Sequence, residues 1–176
     1  MKQALFPLVF LLLASTTSKA SVLEDACKTF AAGRPDVGYD YCVKFFQADP
    51  GSATAELLTD LAAIGAKLAG AAAKSTVERI DDLKATEKDK GRLECLSTCA
   101  KLYSDAVDQA GEAAAGIPTG NTEDAVAALD VVTGVASACE LAFQELHQPS
   151  PLATEDAEFG KESAIAYNVA SSLLPS

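Results

Sequence analysis

Along most of this chain apolar positions recur at intervals of three and four, and no Val/Ile/Thr-rich run alternates with polar residues over the length of a strand. The pattern predicts an all-α protein. Val22, Leu23, Ala26 and Phe30 mark a short first helix over residues 22–32; Gly33, Pro35 and Gly38 interrupt it, and a second runs over residues 39–47. Together they read as a helical hairpin.

Asp49-Pro50-Gly51-Ser52 is a turn whose serine is placed to cap the next helix, where Leu57, Leu61, Ile64 and Leu68 form one stripe that continues to about Lys84. Gly65 and Gly70 lower the helicity of that stretch but permit a close neighbour. A third segment, residues 87–115, puts Leu93, Leu96, Ala100, Tyr103 and Val107 on one face. Gly116 to Asn121 turns the chain, and Thr122 can cap a helix whose first turn holds Glu123 and Asp124, as the helix dipole favours. Val126, Leu129, Val132, Ala136, Cys139, Phe143 and Leu146 follow the helical period. After Pro149-Ser150-Pro151 a last helix, residues 154–173, opens with Glu155, Asp156 and Glu158 and turns Phe159, Ala166, Val169 and Leu173 inward. Four long segments joined by short turns predict an up-down-up-down four-helix bundle preceded by the hairpin.

The first 20 residues read differently. Lys2, an apolar run from Ala4 to Ala14 and the small-residue site Ser18-Lys19-Ala20 have the form of a secretory signal cleaved after Ala20. The expected mature chain, residues 21–176, is of one-domain size, with the hairpin over 21–51 and the bundle over 52–176. No later stretch is continuously apolar over a bilayer's width, so the expectation is a secreted, extracellular protein without a membrane span.

Charge narrows the partners. Residues 21–176 carry 12 Lys and Arg against 25 Asp and Glu, and after Lys101 the sole basic residue, Lys161, faces 12 acidic ones. Nucleic acid and anionic membranes are excluded as natural partners, and a basic protein surface is favoured. The same carboxylates would also serve simply to keep a small helical protein soluble.

The five cysteines suit an oxidising compartment. Their spacing lets Cys27 and Cys42 bridge the hairpin, closing a loop worth about 3 kcal/mol in the chain-entropy model, and lets Cys99 bridge to Cys139 on the next antiparallel helix for roughly 4 kcal/mol. Cys95, one turn before Cys99, is expected as a buried thiol, with pairing to Cys139 as the alternative. Zinc is disfavoured, since His147 is the sole histidine and a closed site needs four ligands. No cofactor is expected, and neither a nucleophile with a base nor paired carboxylates in a cleft can be assigned, so the chain is not expected to be an enzyme.

Several of these residues together resemble the plant invertase and pectin methylesterase inhibitor family: Cys27, then Asp40-Tyr41-Cys42 and Phe45, then Ala48-Asp49-Pro50 and Ser52 leading into Ala55-Glu56-Leu57 and Leu61-Ala62, then Cys99 with Tyr103 and Ala106, and Cys139-Glu140 with Phe143. The pattern is most similar to the pollen-allergen-like members labelled as invertase inhibitors. The resemblance implies a non-catalytic, cell-wall protein, disulfides from first to second and third to fourth cysteine, and a partner that is either a pectin methylesterase or an acid invertase. It also implies two candidate contact regions. Pectin methylesterase-directed members use bundle helices, which here points to the exposed face of Asp105, Asp108 and Glu112. Invertase-directed members use a Pro-Lys-Phe turn; the corresponding turn reads Ile117-Pro118-Thr119-Gly120-Asn121, without the lysine or phenylalanine, and is expected beside the Cys99–Cys139 staple. The segment before the last cysteine reads Asp130-Val131-Val132-Thr133 in place of the usual Ser-Ala-Ala-Leu, and Cys95 is additional. The remaining class is a carrier of a small apolar ligand within the Ala-rich bundle.

Overall fold

The computed structural model describes residues 21–175; the predicted signal segment, residues 1–20, lies outside them. The helices are α1 (Val22–Gly33), α2 (Tyr39–Phe46), α3 (Leu58–Thr86), α4 (Lys90–Gly116), α5 (Thr122–Glu145) and α6 (Ala153–Ser171), with 3-10 turns at Pro50–Thr54 and Ile117–Thr119. Helices α3 to α6 pack as a closed antiparallel ring, each on its chain neighbour and α6 back on α3, while α1 and α2 sit across the α3 and α6 edge. This is the up-down-up-down bundle with its N-terminal hairpin.

Local chemistry explains the boundaries. Ser21 caps α1 by accepting the Glu24 backbone N–H at 3.2 Å. Gly38 enters α2 at φ +83°, a left-handed conformation that suits glycine. Asp49 Oδ1 accepts the Gly51 N–H at 2.8 Å and its Oδ2 lies 3.1 Å from Lys67 Nζ of α3; both interactions hold its carboxyl below the usual range and tie the hairpin exit to the bundle.

The entry to α3 departs from the sequence reading. Ser52 does not cap that helix: it is buried in the 3-10 turn, where its hydroxyl donates to the Phe46 carbonyl at 2.6 Å or the Asp49 carbonyl at 2.8 Å. Leu57, expected on the bundle stripe, precedes the first turn and is 62% exposed. The buried stripe of α3 is made instead by Leu61, Ala62, Ala66, Ala69, Ala73 and Ile80. Ser52→Ala is expected to remove the turn's one buried hydroxyl hydrogen bond and to lower stability by about 1 kcal/mol, read from the urea unfolding midpoint.

Small side chains set the helix spacing. A Cβ at Gly65 would stand 3.3 Å from Phe46 and 3.5 Å from the Ala166 backbone, so the absent side chain lets the hairpin, α3 and α6 come close together here. Glu87, expected inside the third long helix, closes α3 instead. It accepts from the N–H groups of Lys88 and Asp89 and pairs with Arg92 at 2.8 Å, which holds its carboxyl near 2, and Asp89 caps α4. At the other end of α5, Leu146 is exposed rather than inward because the helix stops at Glu145 and His147 takes a positive φ of 52° before Pro149.

The interior divides into two clusters. One, at the hairpin end, joins Phe30, Phe45, Phe46, Leu61, Ile117, Leu129 and Ile165. The other holds Leu96, Tyr103, Phe143, Leu152, Phe159 and the Cys99–Cys139 bridge. By length and composition α5 is apolar enough to cross a membrane, but Asp130 and Glu140 interrupt its apolar run and it is a bundle helix with Val126, Leu129, Val132, Val135, Cys139 and Phe143 buried.

Candidate binding surface

Cys27 is bonded to Cys42 and Cys99 to Cys139, with Cα separations of 5.6 and 4.9 Å. Cys95 is buried without a disulfide; its thiol donates to the Ala142 carbonyl at 3.3 Å, and burial pushes its pKa up, away from the reactive thiolate. The first bridge braces the hairpin and the second joins α4 to α5.

Helix α4 presents Asp105, Asp108 and Glu112 to solvent, as the spacing of three and four requires. Their charges are not equivalent. Asp105 Oδ2 lies 2.7 Å from Lys101 Nζ one turn earlier, whereas Asp108 and Glu112 make no ion pair among the described residues. The free negative charge of this face is therefore shifted toward the C-terminal end of α4.

That end runs into the turn. Ile117 is 1% exposed and fills the hairpin-end core beside Ala113 and Ala125, so it anchors the turn and is withdrawn from the candidate contact residues. Pro118, Thr119, Gly120 and Asn121 are exposed. Thr119 Oγ1 donates to the Gly116 carbonyl at 2.8 Å, the Gly120 N–H to Ile117 at 3.2 Å and the Asn121 N–H to Gly116 at 3.1 Å. Gly120 closes the turn at φ +88°. Internal bonding of this kind presents a fixed shape to a partner.

The staple is not beside this turn. Cys99 precedes Ile117 by 18 residues of continuous helix, which is about 27 Å at the rise of an α-helix. What fixes the turn is Ile117 in the core and its own hydrogen bonds. Reading the sequence also missed its neighbours: Glu123 and Asp124 at the start of α5 and Leu173 to Pro175 at the C-terminus share a surface cavity of about 410 Å³ with Gly120 and Asn121. The signal for the acidic pair was present in the first turn of α5, but the contribution of the C-terminal segment required the folded ring.

A second concavity, about 340 Å³, opens between α1, the start of α3 and α6, with Val22, Ala26, Phe30, Leu58 and Val169 on its walls. Among the described residues no group of three or more His, Cys, Asp or Glu side chains is arranged to hold a metal ion.

Residues 21–174 match the family model described as Plant invertase/pectin methylesterase inhibitor. A Platanus acerifolia protein named "Putative invertase inhibitor" is 32% identical over 160 residues, covering 89% of this chain and 87% of that protein. A Platanus orientalis protein of the same name is 29% identical over 148 residues, covering 84% and 86%. The crystal structure of a pectin methylesterase inhibitor from Arabidopsis thaliana superposes with a TM-score of 0.62 at 15% identity, over 88% of this chain and 97% of that one, a likeness of fold.

Proposed function

The chain belongs to the plant invertase/pectin methylesterase inhibitor family, and from that premise we propose that residues 21–176 form a single secreted domain that inhibits a plant cell-wall pectin methylesterase or acid invertase. It is a monomer when free, and forms a non-covalent 1:1 complex that covers the enzyme's substrate groove. The observation that carries this reading is the rigid, acidic end of the bundle: Asp108 and Glu112 on α4, the self-bonded Pro118 to Asn121 turn, and Glu123 and Asp124 on α5.

A surface of this kind works by shape and electrostatic complementarity, with affinity concentrated in a few anchors. Acidic groups fixed in place would meet Lys and Arg at the rim of an enzyme cleft, speeding association and holding the register. The turn's residues are already ordered by their own hydrogen bonds, so binding would cost little conformational entropy.

Titration of oxidised residues 21–176 against a plant pectin methylesterase and a plant acid invertase tests the reading. Inhibition of one enzyme saturating at an equimolar ratio supports it; full activity of both beside folded inhibitor refutes it. In the inhibited pair, Asp108→Lys with Glu112→Lys is expected to weaken inhibition by about tenfold or more, through repulsion of the enzyme's cations. Inhibition constants unchanged by this double variant would move the contact off α4.

A second reading, a carrier of a small apolar ligand, is favoured by the groove between α1 and α6, whose volume falls in the range of ligand sites. Binding of a fluorescent fatty acid, displaced by Phe30→Trp, would support it.

A further inference from the structure

Asp156 lies in the first turns of α6 with 3% of its surface exposed, whereas its acidic neighbours are half-buried (Glu155) and exposed (Glu158). Its Oδ1 accepts the Tyr103 hydroxyl of α4 at 2.5 Å. Tyr103 is itself fully buried and stacks edge to face on Phe159 of α6, with ring centroids 4.9 Å apart. The other oxygen, Asp156 Oδ2, is buried and accepts no donor among the described residues, and the same holds for Glu140 Oε1 of α5.

Glu140 acts on Asp156 from α5. Ionised carboxylates are acceptors only, so a carboxyl oxygen buried without a donor is relieved when the group carries a proton. The charged and titratable groups that face the pair do not substitute for it. Tyr103 comes from α4 and is neutral, and Glu155 lies beside the pair on α6 and adds negative charge. From α3 comes Arg79, whose Nε is 3.3 Å from Glu155 Oε1 and engages that carboxylate instead. Lys101 of α4 is turned outward to Asp105.

We infer that Asp156 keeps a proton in the folded chain, and that this buried acid, clamped by Tyr103, is a pH-sensitive lock that ties α6 to α4 in acidic surroundings and loosens toward neutral and alkaline pH. The direction follows from the environment. Burial pushes Asp156 up to about 7, reinforced by Glu140, while the Tyr103 hydroxyl pulls the other way. Burial and Asp156 raise Tyr103 far above the phenol range, so it stays a donor throughout.

In the unfolded chain an aspartate titrates near 4, so between about pH 4 and 7 the folded state binds a proton that the unfolded state has released. The contribution is fully present below the unfolded value and is lost as pH rises through about 7. This is opposite in sign to an ion-paired surface carboxylate such as Asp49, whose lowered value loses stabilisation on acidification.

The test pairs a direct titration with two near-isosteric variants. Carboxyl carbon resonances of the folded, oxidised protein should show Asp156 titrating well above the ordinary aspartate range. Asp156→Asn still accepts from Tyr103 but has no proton to lose, and Glu140→Gln removes the neighbouring charge that raises Asp156. The wild-type melting temperature is expected to fall from pH 4.5 to 8 by roughly 5 °C more than that of Asp156→Asn. Glu140→Gln offers a second comparison, with a smaller fall than the wild type, if Asp156→Asn does not fold. Asp156 titrating near 4, or parallel melting curves for wild type and variant, would overturn the lock.

Discussion

Phe46→Ala is expected to lower stability by about 3–5 kcal/mol and the melting temperature by on the order of 10 °C, among the largest effects of any single substitution outside the disulfides. Phe46 ends α2 with no exposed surface, and its ring fills the gap left by the missing side chain of Gly65 against the Ala166 backbone. It also packs edge to face on Phe45 with centroids 5.2 Å apart. Truncation removes more than transfer energy. The hairpin is an eight-residue and a twelve-residue helix, too short to persist alone, and it stays on the bundle through this ring, Phe30 and Phe45 in the shared core and the Asp49–Lys67 pair. Urea unfolding should show a lowered midpoint, and hydrogen exchange should show α1 and α2 opening before α3 to α6. A loss below about 1 kcal/mol would mean that the hairpin is held by other contacts.

Removing the Cys99–Cys139 bridge by the double substitution to alanine is expected to cost about 4 kcal/mol, because the closed loop spans 40 residues and the unfolded chain regains the corresponding freedom. Both positions must change, since Cys95 sits one turn from Cys99 and could otherwise supply a new partner for Cys139. The bridge joins α4 to α5 inside the cluster of Tyr103, Phe143 and Phe159. Far-ultraviolet circular dichroism should show helical content retained at 20 °C in a variant with a much lower denaturation midpoint. Since the bridge lies about 27 Å from the Ile117 to Asn121 turn, the folded variant is expected to inhibit as the wild type does.

Much of this architecture is legible in the amino-acid pattern. Spacings of three and four, broken by Gly33 to Gly38, Asp49 to Ser52, Gly116 to Asn121 and Pro149 to Pro151, mark four of the five boundaries between the six helices, because glycine and proline carry the backbone out of the helical region; the fifth, Glu87 to Asp89 between α3 and α4, contains neither. The misreadings have a common cause. Ser52 and Leu57 have residue types and phase suited to the start of α3, but the chain between them takes a 3-10 turn and an extended step whose hydrogen bonds return to the hairpin. Local propensity cannot register such a tertiary alternative.

The candidate surface was legible in part. The period placed Asp105, Asp108 and Glu112 outward correctly, yet Ile117 turned inward because an apolar side chain at a helix end finds the core between α3, α4 and α5. Asp156 is the instructive case. The pattern places it only among the acidic residues that open α6, but it falls on the stripe of Leu152, Phe159, Ser163 and Ala166, which is the buried side of that helix.

The central claim, occlusion of a substrate groove by a folded helical protein, is tested most directly by calorimetric titration of oxidised residues 21–176 into the enzyme that it inhibits, with and without a saturating oligosaccharide ligand of that enzyme's cleft. The account predicts binding at one inhibitor per enzyme that is abolished or strongly weakened when the cleft is filled. Equal affinity with the cleft filled and empty would place the contact elsewhere on the enzyme and contradict it.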